Sequence, residues 1–292
     1  MHKFATTFVS ASRSGMSAAL AICFTAAALC SSPKVAHANI LGDFVGRAIA
    51  SEVSKRIGDR VRGAAATPVS LPQAGSFKSC QGLFPAGAVL APESIDQRWK
   101  PAALCSNHFA VLYSGLSKTP LVVVERLTRE QLSDAINEQR TNEFFPDPRV
   151  PSRARASLDD YRSSGYDRGH MAAAANQPDP TSMAQSFALT NMIPQDPVNN
   201  QKVWSKIESD VRKFARRSRG DVFVFSGPLF RGEPRTIGRG KVWVPSHLFK
   251  LVHDQASGRS WAYVLENSAS ARVTQPMGYE DFVQQTGWQF LR

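Results

Sequence analysis

A single clear helical stripe constrains the fold of this chain more than any other feature of its sequence. Residues 200–217 place five apolar side chains on one face of a helix, namely Val203, Trp204, Ile207, Val211 and Phe214. Other apolar segments are short, rich in Val and Leu, and bounded by Gly or Pro, as strands are. Several strands with few helices predict an α+β fold.

The predicted strands lie on both sides of that helix in the sequence. Residues 108–113 and 121–127 predict a hairpin. Three further strands are predicted at residues 221–225, 241–244 and 261–265. The first of these three is expected to end at Gly227-Pro228. Residues 128–165 are polar and contain several prolines, so they are expected to be irregular.

The first 38 residues have the composition of an export signal. Lys3 and Arg13 give a basic start, and residues 16–29 form an apolar run too short to span a membrane. Small residues at 36 and 38 suit a signal peptidase, so we expect cleavage after Ala38 and export to the periplasm or the outside of the cell. An uncleaved anchor is the alternative. A mitochondrial address is not expected, because the leader is neither amphipathic nor rich in Arg.

A basic amphipathic helix is predicted at residues 40–66, where apolar residues recur with a helical period and Arg and Lys lie between them. Such a helix can make weak contact with a membrane or pack on a partner. Docking on its own domain is the favoured interpretation. Residues 64–79 have the composition of a linker. Residues 39–79 are thus helix and linker, and the main domain is expected at residues 80–292.

The chain carries a formal net charge of +11, which falls by three to +8 when Lys3, Arg13 and Lys34 leave with the leader. A basic protein prefers polyanions such as nucleic acid or an anionic membrane surface. Cleavage also leaves one pair of cysteines, Cys80 and Cys105. In an exported chain this pair predicts a disulfide, which closes a loop of about 25 residues and contributes about 3 kcal/mol. Two separate buried thiols are the alternative.

The stretch from Tyr166 to Glu208 concentrates residues that suit the hydrolysis of a phosphodiester. His170 can take a proton from water near neutral pH. Asn200 can offer its amide oxygen to a hydrated Mg²⁺, which acts as a Lewis acid on a phosphate. Arg168 can bind phosphate oxygens, and alternation along a strand places it on the same face as His170. Each residue alone has a simpler interpretation, such as a helix cap for Asn200, so the prediction depends on their joint occurrence.

Glu208 lies eight residues after Asn200, which places it about 80° around the helix axis and about 12 Å along it. It is therefore expected beside the metal site, where its carboxylate can accept hydrogen bonds from water bound to the ion.

These residues form a pattern that resembles the family of DNA/RNA non-specific endonucleases. The Asp-Arg-Gly-His tetrad at residues 167–170 is followed by Met and four alanines, then by Thr-Asn-Met-Ile-Pro-Gln at residues 190–195 and by Asn200-Gln201. Trp204 continues the match. The similarity extends from about residue 108 to about residue 266.

The resemblance implies a ββα-metal fold with a central antiparallel sheet and flanking helices, and it implies a role for each matching residue. His170 would be the general base. Asn200 would be the single protein ligand of Mg²⁺ (or Mn²⁺), and Arg168 would be the arginine of the tetrad. Glu208 would lie near the metal waters, Asn191 and Asp167 would support the site, and Arg140, seven residues before Asp147-Pro148, would be a further arginine. Asn199 remains an alternative to Asn200 as the ligand, although the helical stripe and the spacing of 30 residues from His170 favour Asn200.

The activity implied is hydrolysis of single- or double-stranded DNA and RNA, leaving 5′-phosphate ends. Family members are often dimers, so a homodimer is also implied. A basic surface would hold the nucleic-acid backbone, and its members are Arg212, Lys213, Arg216, Arg217, Arg219, Arg231, Arg235, Arg239 and Lys241. Two alternatives stay open, namely a non-catalytic nucleic-acid-binding protein and an enzyme that acts on another phosphodiester or on a phosphate monoester.

Overall fold

A seven-stranded antiparallel sheet is the centre of the protein in the computed structural model, which describes residues 69–72, 74–86, 88 and 90–291. One compact unit of the chain spans Thr67–Arg292. All described residues belong to this unit. The predicted leader and the helix at residues 40–66 lie outside the described residues and stay predictions.

The strands, in chain order, are β1 (Pro101–Cys105), β2 (Phe109–Ser114), β3 (Thr119–Leu127), β4 (Asp167–His170), β5 (Met192–Gln195), β6 (Val222–Leu229), β7 (Arg235–Ile237), β8 (Val242–Val244), β9 (His247–Asp254), β10 (Arg259–Glu266) and β11 (Met277–Gly278). The α-helices are α1 (Arg129–Asp134), α2 (Leu158–Tyr161), α3 (Pro180–Ser186), α4 (Ser205–Ala215) and α5 (Tyr279–Thr286). The large sheet has the order β1-β2-β3-β6-β9-β10-β11, while β4 pairs with β5 and β7 pairs with β8. This arrangement confirms the α+β fold.

Both faces of the large sheet are covered along its middle strands β2, β3, β6 and β9, whose residues are almost all buried. One face packs against α4 through a core that includes Val123, Val224, Trp204 and Ile207. The other face packs against the C-terminal segment through aromatic residues such as Phe282. All eight residues of β6 are buried as a result. A strand covered on both sides is apolar throughout and shows no alternation, which explains why its sequence has no period of two.

The structure extends β6 to Leu229, four residues past the last residue of the predicted strand, Phe225. Pro228 does not end the strand, because the neighbour β3 pairs with β6 only as far as Ser226. Beyond that residue β6 pairs only with β9, through Pro228 opposite Leu248. A proline without an N–H is tolerated where one side of a strand has no partner.

The amphipathic helix predicted at residues 200–217 begins as a π-helical segment, Asn199–Trp204, and continues as α4. Val203, Trp204, Ile207 and Val211 of the predicted stripe are buried. A π-helical turn inside a helix is rare and often marks a functional site, because it changes the direction of the side chains at its start. Asn200, the predicted metal ligand, lies in this segment.

The predicted disulfide is present. Cys80 and Cys105 are bonded, with their Cα atoms 5.9 Å apart. The bond ties the 3₁₀ segment Phe77–Leu83 to the end of β1. Phe77, in the sequence region assigned to the linker, is buried in the core beside the disulfide. Within the described part of the chain, every helix is too short or too polar to cross a membrane.

Candidate active site

The strand β4 and the helical segment Asn199–Trp204 are joined at two points, which brings the predicted site residues together. At one end, Asn200 Nδ2 donates to Asp167 Oδ2 over 2.9 Å, and Gln201 Nε2 donates to the same oxygen over 2.8 Å. At the other end, the indole Nε1 of Trp204 donates to the backbone carbonyl of His170 over 3.3 Å. The tetrad and the start of the helix therefore lie against each other along about 10 Å of strand.

The amide of Asn200 is oriented by its carboxylate neighbour. An ionised carboxylate only accepts hydrogen bonds, so the nitrogen of the amide faces Asp167 and the oxygen lies on the other arm. Asn199 differs, because it is fully buried with its oxygen bound to Gln195 Nε2 at 2.7 Å and its nitrogen bound to the Glu266 carbonyl at 2.6 Å. Of the two asparagines, only Asn200 lines an open pocket.

His170 is buried at the end of β4, between two aromatic rings. The ring of Phe187 meets the imidazole edge-on at 4.8 Å, and that of Phe144 lies 5.7 Å away. Burial, together with the positive charges of Arg140 and Arg168, lowers the pKa of His170 to about 3. The imidazole is therefore neutral at neutral pH and able to accept a proton. Its Nε2 atom has no hydrogen-bond partner among the described residues.

Both predicted arginines lie on the same aromatic pair. The guanidinium of Arg168 is 4.1 Å from the centre of the Phe144 ring, and that of Arg140 is 4.9 Å from the centre of the Phe187 ring. Stacking on rings holds a guanidinium while leaving its N–H groups free to bind an anion. The two arginines line a pocket of about 350 Å³ together with Asp167 and Asn200.

Glu208 lies on α4, two turns after Asn200. Part of the residue is exposed, but its Oε1 atom is buried and finds no hydrogen-bond partner within the described chain. Burial raises the pKa of the Glu208 carboxyl, while Lys250, Arg212 and Arg140 oppose this rise. The positive charge of Arg140 therefore lowers the pKa of both Glu208 and His170.

Asn191 fixes the chain that follows the histidine. Its Oδ1 accepts from the Ala172 N–H over 2.8 Å, and its Nδ2 donates to the carbonyls of Ala172 and Ser186 over 3.0 and 2.9 Å. The neighbouring Thr190 hydroxyl donates to Asp147 Oδ2 over 2.6 Å. These buried side chains join β5 to the segment after β4 and to the loop after Arg140, so they support the site without facing it.

The glycine of the tetrad is required by close packing. A Cβ atom at position 169 would collide with the side chain of Gln195. Gln195 is fully buried and donates to Asn199, so it cannot move without breaking that bond. We therefore expect Gly169→Ala to lower the free energy of unfolding by about 1 to 3 kcal/mol, measured by denaturant titration, and to reduce activity.

Gly82→Ala is the matched control for that substitution. Nothing lies within 4 Å of the added Cβ at position 82. Its unfolding free energy is expected to stay within about 0.5 kcal/mol of the original protein. Equal stability of the two variants would contradict the role assigned to the contact between Gly169 and Gln195.

The donor set at this site fits a hard, hydrated divalent ion. The described residues contain no group of three or more His, Cys, Asp or Glu side chains able to hold a metal ion, which excludes a metal cage of those types there. An ion such as Mg²⁺ keeps most of its waters and needs few protein oxygens. The amide oxygen of Asn200 suits a direct ligand of the ion. The unpartnered Oε1 of Glu208 suits an acceptor of hydrogen bonds from water.

The sequence did not reveal several side chains that shape the site. These are Phe144 and Phe187 around the imidazole, Gln195 and Asn199 behind the tetrad, and Tyr161, Arg162 and Tyr166 in the pocket wall. The stripe of α4 did identify Trp204 as buried, but not its hydrogen bond to His170.

Comparison with known proteins identifies the family. Residues 88–291 match the family model described as DNA/RNA non-specific endonuclease. The human mitochondrial nuclease EXOG is 35% identical over 185 residues, which cover 57% of this chain and 50% of that protein. Human mitochondrial endonuclease G is 37% identical over 163 residues, covering 51% of this chain and 54% of that protein. The chain thus spans about half the length of the curated relatives it matches.

A solved structure of EndoG in complex with EndoGI has a similar fold. The two superpose with a TM-score of 0.59 at 26% sequence identity, covering 69% of this chain and 87% of the solved one. This similarity confirms the ββα-metal nuclease fold expected from the sequence.

The prediction of export to the periplasm or the outside of the cell is contradicted by the relatives. EXOG and endonuclease G are both named as mitochondrial proteins, which points to mitochondria and away from a secreted protein. The prediction depended on a basic start and an apolar run. Leaders for different compartments share both features, so composition alone does not determine the destination.

Proposed function

The chain belongs to the family of DNA/RNA non-specific endonucleases, and from this premise we propose that it hydrolyses internal phosphodiester bonds of DNA and RNA with His170 as the general base. The observation that carries the proposal is the double attachment of β4 to the helix, through Asn200 to Asp167 and through Trp204 to His170. Arg140, Arg168 and Asn200 line one pocket, and the imidazole of His170 lies against the two aromatic rings on which those arginines stack, which supports this proposal.

In the proposed reaction, His170 takes a proton from water, and the oxygen of that water bonds to phosphorus. The bond from phosphorus to the 3′-oxygen breaks, and that oxygen takes a proton from solvent water, which leaves a 5′-phosphate and a 3′-hydroxyl. Arg168 and Arg140 stabilise the charge that grows on the phosphoryl oxygens. Because the nucleophile is water, a ribose 2′-hydroxyl is not needed, and one site serves both DNA and RNA.

Substrate binding strengthens the base in this arrangement. Two of the causes that lower the pKa of His170 are the charges of Arg140 and Arg168. A phosphate anion bound between these arginines offsets their charge and raises the pKa of the imidazole toward its ordinary value. The histidine thus becomes a stronger base when the substrate is present.

Family membership supports a metal-dependent nuclease, and we propose that the ion is Mg²⁺, with Mn²⁺ as a substitute. Asn200 would hold it, and when bound it supplies Lewis-acid stabilisation of the phosphate and the leaving oxygen. Glu208 accepts hydrogen bonds from water at the site through its unpartnered Oε1. Asp167 keeps the oxygen of Asn200 directed away from the strand.

The basic surface proposed for the nucleic-acid backbone is smaller than its sequence suggests. Arg212 donates to Asn176, and Arg216 donates to the Leu132 carbonyl, so both are engaged within the protein. The other seven members remain exposed, namely Lys213, Arg217, Arg219, Arg231, Arg235, Arg239 and Lys241. We propose that they, with the arginines at the pocket, bind phosphates without reading sequence.

Supercoiled plasmid and a single-stranded RNA, each incubated with the protein and Mg²⁺, test the proposal. Both should be cut, EDTA should abolish cutting, and Mn²⁺ should restore it. A non-catalytic binding protein would retard the plasmid in a gel without nicking it, and a phosphomonoesterase would instead release phosphate from p-nitrophenyl phosphate. Either result, or cutting that EDTA leaves unchanged, would contradict the proposal.

A further inference from the structure

The hairpin formed by β7 and β8 lies beside the wall of the active-site pocket. Ile237 and Val242, which are paired across the two strands, are buried in a cluster that also contains Tyr161. Tyr161 and the next residue, Arg162, line the pocket. The hairpin therefore shares a small core with the pocket wall.

The turn of this hairpin, residues 238–241, is fixed to α2 by one buried carboxylate. The Gly240 N–H donates to Asp160 Oδ1 over 2.6 Å. The other oxygen, Oδ2, accepts from the backbone N–H and the hydroxyl of Ser157 over 2.9 and 2.8 Å. Asp160 is only 4% exposed. Its side chain thus ties the turn of the hairpin to the helix that carries Tyr161 into the pocket wall.

Two glycines allow the turn to approach the helix this closely. Gly238 has a left-handed backbone with φ +63°, and a Cβ atom there would collide with the Cα of Asp160. A Cβ atom at Gly240 would collide with the carboxylate of Asp160. Arg239 lies between the two glycines, so its Cα is held within about 8 Å of the Cα of Asp160.

The hairpin carries exposed cations that have no anionic partner. Arg235, Arg239 and Lys241 are exposed, and none of them forms an ion pair with any residue that the structure describes. Arg162 on the pocket wall differs, because it is paired with Asp159 over 2.9 Å. Unpaired cations held at a fixed place suit the phosphates of a nucleic-acid backbone, since each contact releases counterions from the polyanion.

We infer that Asp160 is a positioning residue for substrate binding, which holds the turn of the hairpin against the pocket wall so that Arg239 binds the nucleic-acid backbone beside the scissile phosphate. The inference rests on the proposed nuclease function, and it adds what fixes one part of the basic surface. A cation on a fixed turn loses less freedom on binding than a cation on a free loop. The position of the turn, as well as its charge, should therefore determine affinity.

Arg239→Ala tests the charge. Binding of a fluorescently labelled DNA duplex is followed by anisotropy in EDTA, so that metal-dependent cleavage does not occur. At moderate salt the Kd should rise by about 3- to 10-fold, and the slope of log Kd against log salt concentration should fall by about one, because one phosphate contact is lost. An unchanged Kd and slope would overturn the inference.

Arg259→Ala is the matched control for the loss of one positive charge. Arg259 is exposed at the start of β10, and Glu266 at the other end of that strand binds Asn199 through its carbonyl. Eight residues of strand place Arg259 about 23 Å from that end. Its replacement should change Kd by less than about twofold and leave the salt slope unchanged, because exposed charges at this distance are screened. An effect as large as that of Arg239→Ala would reduce the role of Arg239 to net charge and contradict the inference.

Gly238→Ala tests the position while keeping every charge. Its Cβ would collide with Asp160, so the turn must move. The Kd should rise nearly as much as in Arg239→Ala, and the salt slope should again fall by about one. Gly232→Ala is the matched control, because Gly232 also has a left-handed backbone, with φ +71°, but nothing lies within 4 Å of an added Cβ. Equal binding by the two glycine variants would overturn the inference.

Loss of stability is separated from loss of position by two further variants. If Gly238→Ala does not fold by circular dichroism, Gly240→Ala is measured in its place, since its Cβ meets the carboxylate of Asp160 and not the backbone. Ser157→Ala removes one hydrogen bond to Asp160 and leaves that of Gly240. It should lower the midpoint of denaturation while Kd stays within about twofold. Binding weakened as much as in Gly238→Ala would show that stability, not position, matters.

A double-mutant cycle joins the two tests. In Gly238→Ala/Arg239→Ala, Kd should be within about twofold of that of Arg239→Ala, because the displaced turn no longer carries the arginine that it positioned. Fully additive losses would overturn the inference. Plasmid nicking with Mg²⁺ by the original protein is the reference. An original protein that neither nicks nor binds DNA would refute the proposed function, whereas normal nicking together with unchanged binding by Arg239→Ala would refute only the role of the hairpin.

Discussion

Replacing His170 with alanine is expected to lower kcat for plasmid nicking by about 10² to 10⁴-fold, which is the usual contribution of a positioned general base. The ring lies between Phe144 and Phe187 at the end of β4, so its removal leaves a space of the same shape. Added imidazole should enter that space and restore part of the activity. Nicking rates with and without imidazole measure both effects.

His108→Ala is the matched control for that experiment. His108 is partly exposed, lies 3.7 Å from Asp179, and lines a different cavity from the proposed site. Its removal should change kcat by less than about threefold, as is usual for a residue outside the chemistry. If His170→Ala folds normally and keeps its activity, the assignment of the base is wrong.

The sequence was sufficient for features that depend on local spacing. Trp204 and Ile207 recur at helical intervals, and both are buried against the sheet as expected. The disulfide was predicted because Cys80 and Cys105 are the two cysteines left after the predicted cleavage, and this disulfide is present. The tetrad and Asn200 were identified by their order and by resemblance. The structure adds the contact that joins them, since Asn200 donates to Asp167.

Features that depend on distant neighbours could not be predicted in this way. β9 was missed because it is covered on both faces and contains a lysine in its middle, so it shows neither alternation nor a plain apolar run. The ammonium of Lys250 lies over Trp204, 46 positions earlier in the sequence. Phe144 and Phe187 flank His170 from two loops that are far apart in the chain. Contacts between residues this far apart in the sequence can be recognised only once the three-dimensional structure is known.

Sequence spacing also could not decide between the neighbouring residues Asn199 and Asn200 as the metal ligand. Helical spacing favoured Asn200 without excluding its neighbour. The structure distinguishes them through hydrogen bonds, because both polar atoms of the Asn199 side-chain amide have partners inside the protein. Its oxygen accepts from Gln195, and its nitrogen donates to the Glu266 carbonyl. Asn199 is fully buried, whereas Asn200 lines the open pocket. The spacing of residues along the sequence does not reveal these hydrogen bonds or this difference in burial.

The second large effect is expected for Asn200→Ala, which removes the proposed metal ligand. Loss of several kcal/mol of Lewis-acid stabilisation corresponds to a fall in kcat of about 10² to 10⁴-fold. The same variant should need a higher concentration of Mn²⁺ for half-maximal activity, and it should bind Mn²⁺ more weakly in an equilibrium titration followed by electron spin resonance.

Gln201→Ala distinguishes the ligand from its hydrogen bond, because Gln201 and Asn200 donate to the same oxygen of Asp167 at nearly equal distances. If the contact with Asp167 were the whole contribution of Asn200, the two variants would lose similar activity. Because the amide oxygen of Asn200 is proposed to hold the ion, Gln201→Ala should stay within about fivefold of the original protein, as for the loss of one exposed hydrogen bond. Normal Mn²⁺ binding by Asn200→Ala would remove that residue from the metal site.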